Sequence, residues 1–237
     1  MRFFGLDGCK KGWFYIGIDE NDQYEFDIIT SFQEIEQITI NASLVLVDIP
    51  IGLREEDTRE RLCDLEARKV LGNRKSSVFP ASSRLALAFD DYAEASQINF
   101  HHTGRRLSKQ SFAIAKKIQE VDTFIKSTGL QGKIREMHPE VCFWALNGFT
   151  PMEFSKKKND GFNERRRLLN KYLSNTDKLV EDSRCKFLKK ELATDDNLDA
   201  LVGAVSARFN PKMLTLPDLP ELDNKGLKME IVYPALK

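Results

Sequence analysis

Residues 2–19 read RFFGLDGCKKGWFYIGID. Arg2 to Asp7 is a short apolar run that ends on an aspartate. Gly8, Lys10, Lys11 and Gly12 then supply a turn. Trp13 to Asp19 is a second run, with Phe14, Ile16 and Ile18 alternating onto one face. A polar turn over Asp19–Gln23 leads to a third alternating run, Tyr24–Ile29. Two strands joined by a tight turn form a hairpin, and the third strand extends it. Ser31 then caps a short helix over Phe32–Ile38, with Glu34 completing a capping box. Leu44–Val47 is apolar throughout and ends on Asp48. A run with no polar face belongs in the middle of a parallel sheet, covered on both sides. The first fifty residues therefore specify an α/β protein with a mixed sheet whose N-terminal strands are antiparallel.

The remainder is mostly helical. Helical spacing marks Thr58–Leu71, Tyr92–His101, a long segment Lys109–Ser127, and stretches near 140–147, 161–173 and 181–191. A last helix opens at Asp195 and carries Leu198, Leu201, Val202 and Val205 inward. Lys133–Met137 and Met229–Tyr233 are further short strands. Leu216–Leu227, polar and rich in proline, reads as a mobile loop. No segment has the character of a linker, so residues 1–237 form one domain, with a helical insertion over about 57–130.

The composition of the 237 residues excludes several classes. Lysine plus arginine balances aspartate plus glutamate at 36 each, which argues against a strongly basic nucleic-acid coat but leaves room for a local patch. Cys9, Cys63, Cys142 and Cys185 form no paired motif, and with 3 histidines a zinc site is not expected. Buried free thiols, as in a reducing compartment, are the expectation. With no signal peptide and no apolar run near the ~20 residues of a spanning helix, a cytoplasmic protein that avoids membranes is expected. The oligomeric state is open; a homodimer is one possibility.

The chemistry lies in the acids. Asp7 and Asp48 each close an apolar strand, and Glu136 closes another. Ligands of open α/β sheets bind beyond the carboxyl ends of the strands. Asp196 and Asp199 are three apart on the last helix and share a face. Aspartates also favour turns and helix starts for purely structural reasons, which accounts for any one of them taken singly; their coincidence points to a shared site. Carboxylates brought together stay ionised only with a cation between them. All-oxygen ligands without thiolate or imidazole select Mg²⁺ or Mn²⁺. One ion, or two about 3.5–4 Å apart, suits phosphodiester hydrolysis.

Several segments together resemble a known family: GLDGCKKGW (5–13), VDIPIGL (47–53), ARKVLGNRKSSVFPASSR (67–84), LSKQ (107–110), REMHPEVCF (135–143), DDNLDALVGAVSA (195–207) and GLKMEIVYP (226–234). The chain resembles domain of unknown function 429, a family described as predicted nucleases of the ribonuclease H fold. Some members carry a glycine where this chain has Lys11. The resemblance implies a ribonuclease H-like core, with Asp7, Asp48, Asp196 and Asp199 in the metal-holding positions and Glu136 as a further ligand.

Around these acids, Lys10, Arg68, Arg74, Ser77, Arg84 and Lys109 lie in or near the resembling segments and suit a phosphate-binding surface, although a solvated polar face accounts for them too. His138 is either a general base or substrate-orienting group, or a turn residue with a satisfied ring. The basic stretch Lys156–Lys158 with Arg165–Arg167 is either a solvated face or a guide for a nucleic-acid backbone. The functional expectation is a metal-dependent nuclease. The alternative is a non-catalytic nucleic-acid or protein-binding module on the same scaffold. An actin-like phosphotransfer protein is a weaker third reading, since no second glycine-rich phosphate loop is present.

Overall fold

The structure is a computed structural model and describes residues 1–236. Strand β1 (Arg2–Cys9) and strand β2 (Gly12–Asp19) pair antiparallel, with Cys9 opposite Gly12 across a two-residue turn. Lys10 and Lys11 need no positive φ there. Gly12 takes it, at φ 148°, where a Cβ would stand 2.1 Å from the Ile29 carbonyl oxygen. Lysine at position 11 is therefore accommodated. Strand β3 (Tyr24–Ile29) adds antiparallel to β2. The Ser31 N–H donates to Glu34 Oε1 at 3.0 Å, and the expected capping box opens a 3₁₀ turn that runs into helix α1 (Ile35–Thr39).

Strand β4 (Ala42–Val47) pairs parallel to β1, and strand β5 (Ile134–Glu136) pairs parallel to β4. The sheet order is β3-β2-β1-β4-β5. Between β4 and β5 lie helices α2 (Leu62–Leu71), α3 (Tyr92–Thr103), α4 (Lys109–Ala113) and α5 (Ala115–Thr128). After β5 come α6 (Pro139–Leu146), α7 (Asn159–Leu169), α8 (Thr176–Lys186) and α9 (Thr194–Ala207). Strands β6 (Met213–Leu222) and β7 (Lys228–Pro234) close the chain as a separate antiparallel pair. None of the helices among the described residues is long and apolar enough to cross a membrane.

The structure corrects four details of the sequence reading. Helix α2 begins at Leu62 rather than Thr58, because Arg61 is extended (φ −60°, ψ 130°) and sends its side chain inward. The long helix expected over Lys109–Ser127 breaks at Ile114 (φ −101°, ψ 1°). The helix expected near 181–191 runs over Thr176–Lys186. Leu216–Leu227 is largely strand: its register shifts between Leu216 and Glu221, around Pro217 and Pro220, which have no N–H to give a ladder. Cys9, Cys63 and Cys142 are buried as expected, whereas Cys185 is exposed.

Two cores flank the five-stranded sheet. One joins Phe14, Ile16, Leu44 and Leu46 to the apolar residues of α6, α8 and α9. The other joins Phe4, Leu6, Val45 and Val47 to α5 residues such as Ile118 and Val121, and it contains Trp13. Helix α9 is buried from Asn197 through Ala207, more completely than its single apolar stripe suggested.

Its approach to the sheet depends on two glycines. A Cβ on Gly5 would stand 2.0 Å from the Ala200 carbonyl oxygen and 2.3 Å from the Ala204 nitrogen. A Cβ on Gly203 would stand 3.1 Å from Gly5 Cα and 2.9 Å from Met137 Cε. Backbone thus packs directly on backbone. Gly5→Ala is expected to destabilise the fold by roughly 1–3 kcal/mol or more, the usual cost of overpacking. Gly132→Ala, with open space around it, should stay within about 0.5 kcal/mol of wild type. Urea unfolding midpoints measure both, and equal midpoints for the two variants would contradict the close-approach account.

Candidate metal centre

Strand alternation decides which acids meet. On β1, Phe3 and Cys9 face the α9 side while Phe4 and Leu6 face α5, so Gly5 and Asp7 point toward α9. On β4, Leu44 and Leu46 face α9, and Asp48 continues that parity. The Asp48 N–H donates to the Leu6 carbonyl at 2.9 Å, carrying the parallel ladder one residue past β4 and holding Asp48 alongside Asp7. On α9, Asp199 lies one turn before Gly203, on the face that touches Gly5. The result is a trio, Asp7, Asp48 and Asp199, offering carboxylate oxygens within 4.8 Å of one another. Asp7 and Asp199 are buried, and Asp48 is partly exposed.

Such crowding shifts the acids strongly. Burial, then the neighbouring Asp48 and Asp199, raises the Asp7 carboxyl well above the ordinary range. Burial, then Asp199, pushes Asp48 up to about 8. Burial also raises Asp199, against the pull of Lys156. Lys156, from the loop between α6 and α7, forms an ion pair with Asp199 and lies 4.0 Å from Asp195 Oδ2. Asp199 Oδ1 is buried and has no hydrogen-bond partner. Three clustered carboxylates, one of them with a buried oxygen that has no hydrogen-bond partner, supply the kind of oxygen donors that a hard divalent cation takes. These residues fit such an ion.

Asp196 is near the trio but differs in role. Its Oδ2 accepts from the Ala193 N–H at 3.0 Å, capping α9. Burial, then the neighbouring Asp195 and Asp199 charges, raises it to about 6, against the pull of that hydrogen bond. Glu136, expected among the ligands, stands elsewhere. It pairs in register with Val47, whose side chain faces the α5 core, so its carboxylate leaves the opposite side of the sheet from Asp7 and Asp48. There it accepts from Arg61 Nη1 at 2.9 Å and from the Ile51 N–H at 2.7 Å. The buried Arg61 also meets Asp64 Oδ1 at 2.7 Å. Burial still raises Glu136 to about 7, against the attraction of Arg61.

The expected phosphate-binding residues divide. Arg84 is a strut: it pairs with Glu55 at 2.9 Å, with Asp122 at 2.9 Å and with Asp223, tying three chain segments together. Its donors are consumed, so the sequence-based assignment to phosphate is corrected. Arg68 pairs with Glu60 and donates to the Val78 carbonyl at 3.2 Å. Lys10 and Lys109 are exposed. Arg74, Ser77 and His138, by contrast, are linked. Ser77 Oγ donates to the Arg74 carbonyl at 2.9 Å, and His138 Nε2 lies 3.3 Å from the Ser77 carbonyl. A carbonyl only accepts, so Nε2 carries the proton and Nδ1 is a bare acceptor. Nδ1 is buried without a partner, as is Arg74 Nη2. Burial lowers the His138 pKa, favouring the neutral ring. Trp144 packs on Phe149 and Tyr233, with ring centroids 4.9 and 5.5 Å away.

Sequence reading missed three contributors. Lys156 was one lysine in a basic run, with nothing local to separate it from Lys157 or Lys158. Arg61 passed as a helix residue. Gly203, inside an otherwise Ala/Val/Leu helix, did carry a signal, since such a glycine marks close backbone approach.

The raised acids have a consequence for stability. Unfolded aspartates titrate near about 3.9, while Asp48 folded titrates at about 8. Between those values the folded chain holds more protons than the unfolded chain, so stability falls as pH rises. Metal-free wild type should therefore lose stability from pH 5 to pH 8 more steeply than Asp48→Asn. Millimolar Mg²⁺ should flatten the wild-type profile. Thermal melts across that range test this, and parallel profiles for the two proteins would refute it.

The family model described as Protein of unknown function (DUF429) matches residues 5–221. No curated protein and no solved structure matches the chain. The matched stretch contains the acidic trio, Lys156, the Arg74–Ser77–His138 group and both packing glycines, and on that coverage the chain belongs to the DUF429 family.

Proposed function

We propose that the protein is a metal-dependent phosphodiester hydrolase acting on nucleic acid, built on a ribonuclease H-like core. The observation that carries this reading is the convergence of Asp7, Asp48 and Asp199 from a first strand, a neighbouring parallel strand and a last helix, with one buried carboxylate oxygen left bare. The antiparallel β1–β2–β3 unit continued by parallel β4 and β5 supports the fold assignment.

Asp7, Asp48 and Asp199 would hold Mg²⁺ or Mn²⁺, with Asp196 completing the negative field at the mouth. When bound, the cation supplies Lewis-acid chemistry, making a water acidic enough to attack at neutral pH and stabilising charge on the phosphoryl oxygens. The chain's own residues do the rest. Arg74 offers an unpaired N–H to a phosphate oxygen. His138 presents Nδ1 as a proton acceptor, held in that tautomer by the Ser77 carbonyl. Arg61 holds Glu136 and Asp64 on the other face of the sheet, away from the trio's oxygens, although the Glu136 charge still adds to the upward push on Asp48.

A second reading rests on Lys156. Its ammonium already neutralises part of the trio, as a non-catalytic nucleic-acid or protein-binding module on this scaffold would need. Activity separates the two. Purified protein with Mn²⁺ is incubated with single-stranded, double-stranded, junction and hybrid substrates. Cleavage of at least one is expected, falling about a hundredfold or more in Asp7→Asn, Asp48→Asn and Asp199→Asn, the scale set by loss of one preorganised charge-stabilising group. Equal activity in wild type and Asp7→Asn would end the nuclease reading.

A further inference from the structure

The position of Lys156 is unusual for a residue in a basic loop. The chain just before it is fixed from several directions. The Met152 carbonyl accepts from Arg74 Nε at 3.1 Å, and the Phe154 carbonyl accepts from Arg165 Nη1 at 3.0 Å. The Glu153 and Phe154 N–H groups donate to Glu164 at 2.8 and 3.0 Å. Gly161 lets α7 press on the loop, since a Cβ there would stand 2.1 Å from the Ser155 carbonyl oxygen. Arg165 is itself buried and clamped on Glu140 at 2.6 and 2.8 Å. The backbone is thus held, while the Lys156 ammonium hydrogen-bonds to Asp199 of the trio and lies 4.0 Å from Asp195 Oδ2. It reaches Asp199 through Oδ2 and leaves Oδ1 bare. The adjoining Lys157 and Lys158 are exposed.

From this geometry we infer that Lys156 is an internal competitor for the cation site: its ammonium holds Asp199 through Oδ2, beside the other two acids, when no divalent ion is present and must leave when one binds. This inference rests on the metal reading and adds to it a residue that sets the ion affinity. A lysine ammonium is a compact point charge on a flexible stem, so it can withdraw by side-chain rotation while the anchored backbone stays in place. A site occupied most of the time by its own lysine shows an apparent ion affinity reduced by the fraction of time it is free. The withdrawn ammonium remains beside the trio, within reach of an anionic substrate that arrives with the ion.

Calorimetric titration of the full chain with Mn²⁺ tests this. Lys156→Met keeps the stem and removes the charge, and it is expected to tighten Mn²⁺ binding about tenfold or more. Lys157→Met removes the same charge one residue away and should leave the affinity within twofold of wild type. Wild type and Lys156→Met binding Mn²⁺ equally would overturn the inference and leave the metal reading intact. No uptake by either protein would overturn both.

A second measurement needs no variant. Amine-reactive labelling of wild type, read by mass spectrometry, should modify Lys156 slowly without Mg²⁺ and several-fold faster with saturating Mg²⁺, using Lys157 as the internal reference. An unchanged ratio of the two lysines would refute the exchange even if Lys156→Met fails to fold.

Discussion

Direct backbone contact between β1 and α9 is the constraint on which the molecule depends. Helices ordinarily rest on sheets through a layer of side chains. Here Gly5 and Gly203 remove that layer. Asp7 is two residues beyond Gly5 on the same strand face, and Asp199 is one turn before Gly203 on the same helix face. The glycines therefore set the distance between the acids. A wider helix-to-sheet spacing would leave three separate surface carboxylates, each free to ionise in water, instead of a trio with two buried members whose crowding favours the protonated form and could suit a cation.

The sheet separates two charge systems by strand parity. On the α9 side, Asp7, Asp48 and Asp199 share a single lysine and are undercompensated. On the other side, Glu136 and Asp64 share Arg61, which is forked between them and also donates to the Ile51 and Gly52 carbonyls. In the second system the guanidinium donors are matched by the acceptors around them, although burial still outweighs Arg61 and holds Glu136 up at about 7. The first retains an unsatisfied oxygen. That contrast separates an acid cluster whose hydrogen-bonding capacity is filled from one that could take a cation.

Much of this was legible in the sequence. The hairpin, the apolar Leu44–Val47 run of β4 and the acid just past its end follow from period-two patterning, whereas Asp7, expected to close β1, lies within it, because the ladder to β2 continues to Cys9. Asp199 followed from its place on a helix with an apolar stripe. Glu136 was misplaced because the end of a strand gives position but not face, and one residue of parity carries a side chain through the sheet. Arg84 and Arg68 looked like phosphate ligands because sequence cannot show which acids distant in the chain will reach them. The strand β6 was hidden by Pro217 and Pro220, which sit where its ladder is interrupted. Lys156 left no trace, since a loop residue's target depends on tertiary anchoring by Arg74, Glu164 and Arg165.

The trio draws one member from residue 7 and another from residue 199, with nearly the whole polypeptide between them. No fragment that lacks either Asp7 or Asp199 can assemble it. A ligand held there would act as a clasp joining the first strand to α9, and its free energy would go to the native state alone, since the unfolded chain has no such pocket to offer. Were a cation held there, its occupancy and the folding of the chain would be a single coupled equilibrium.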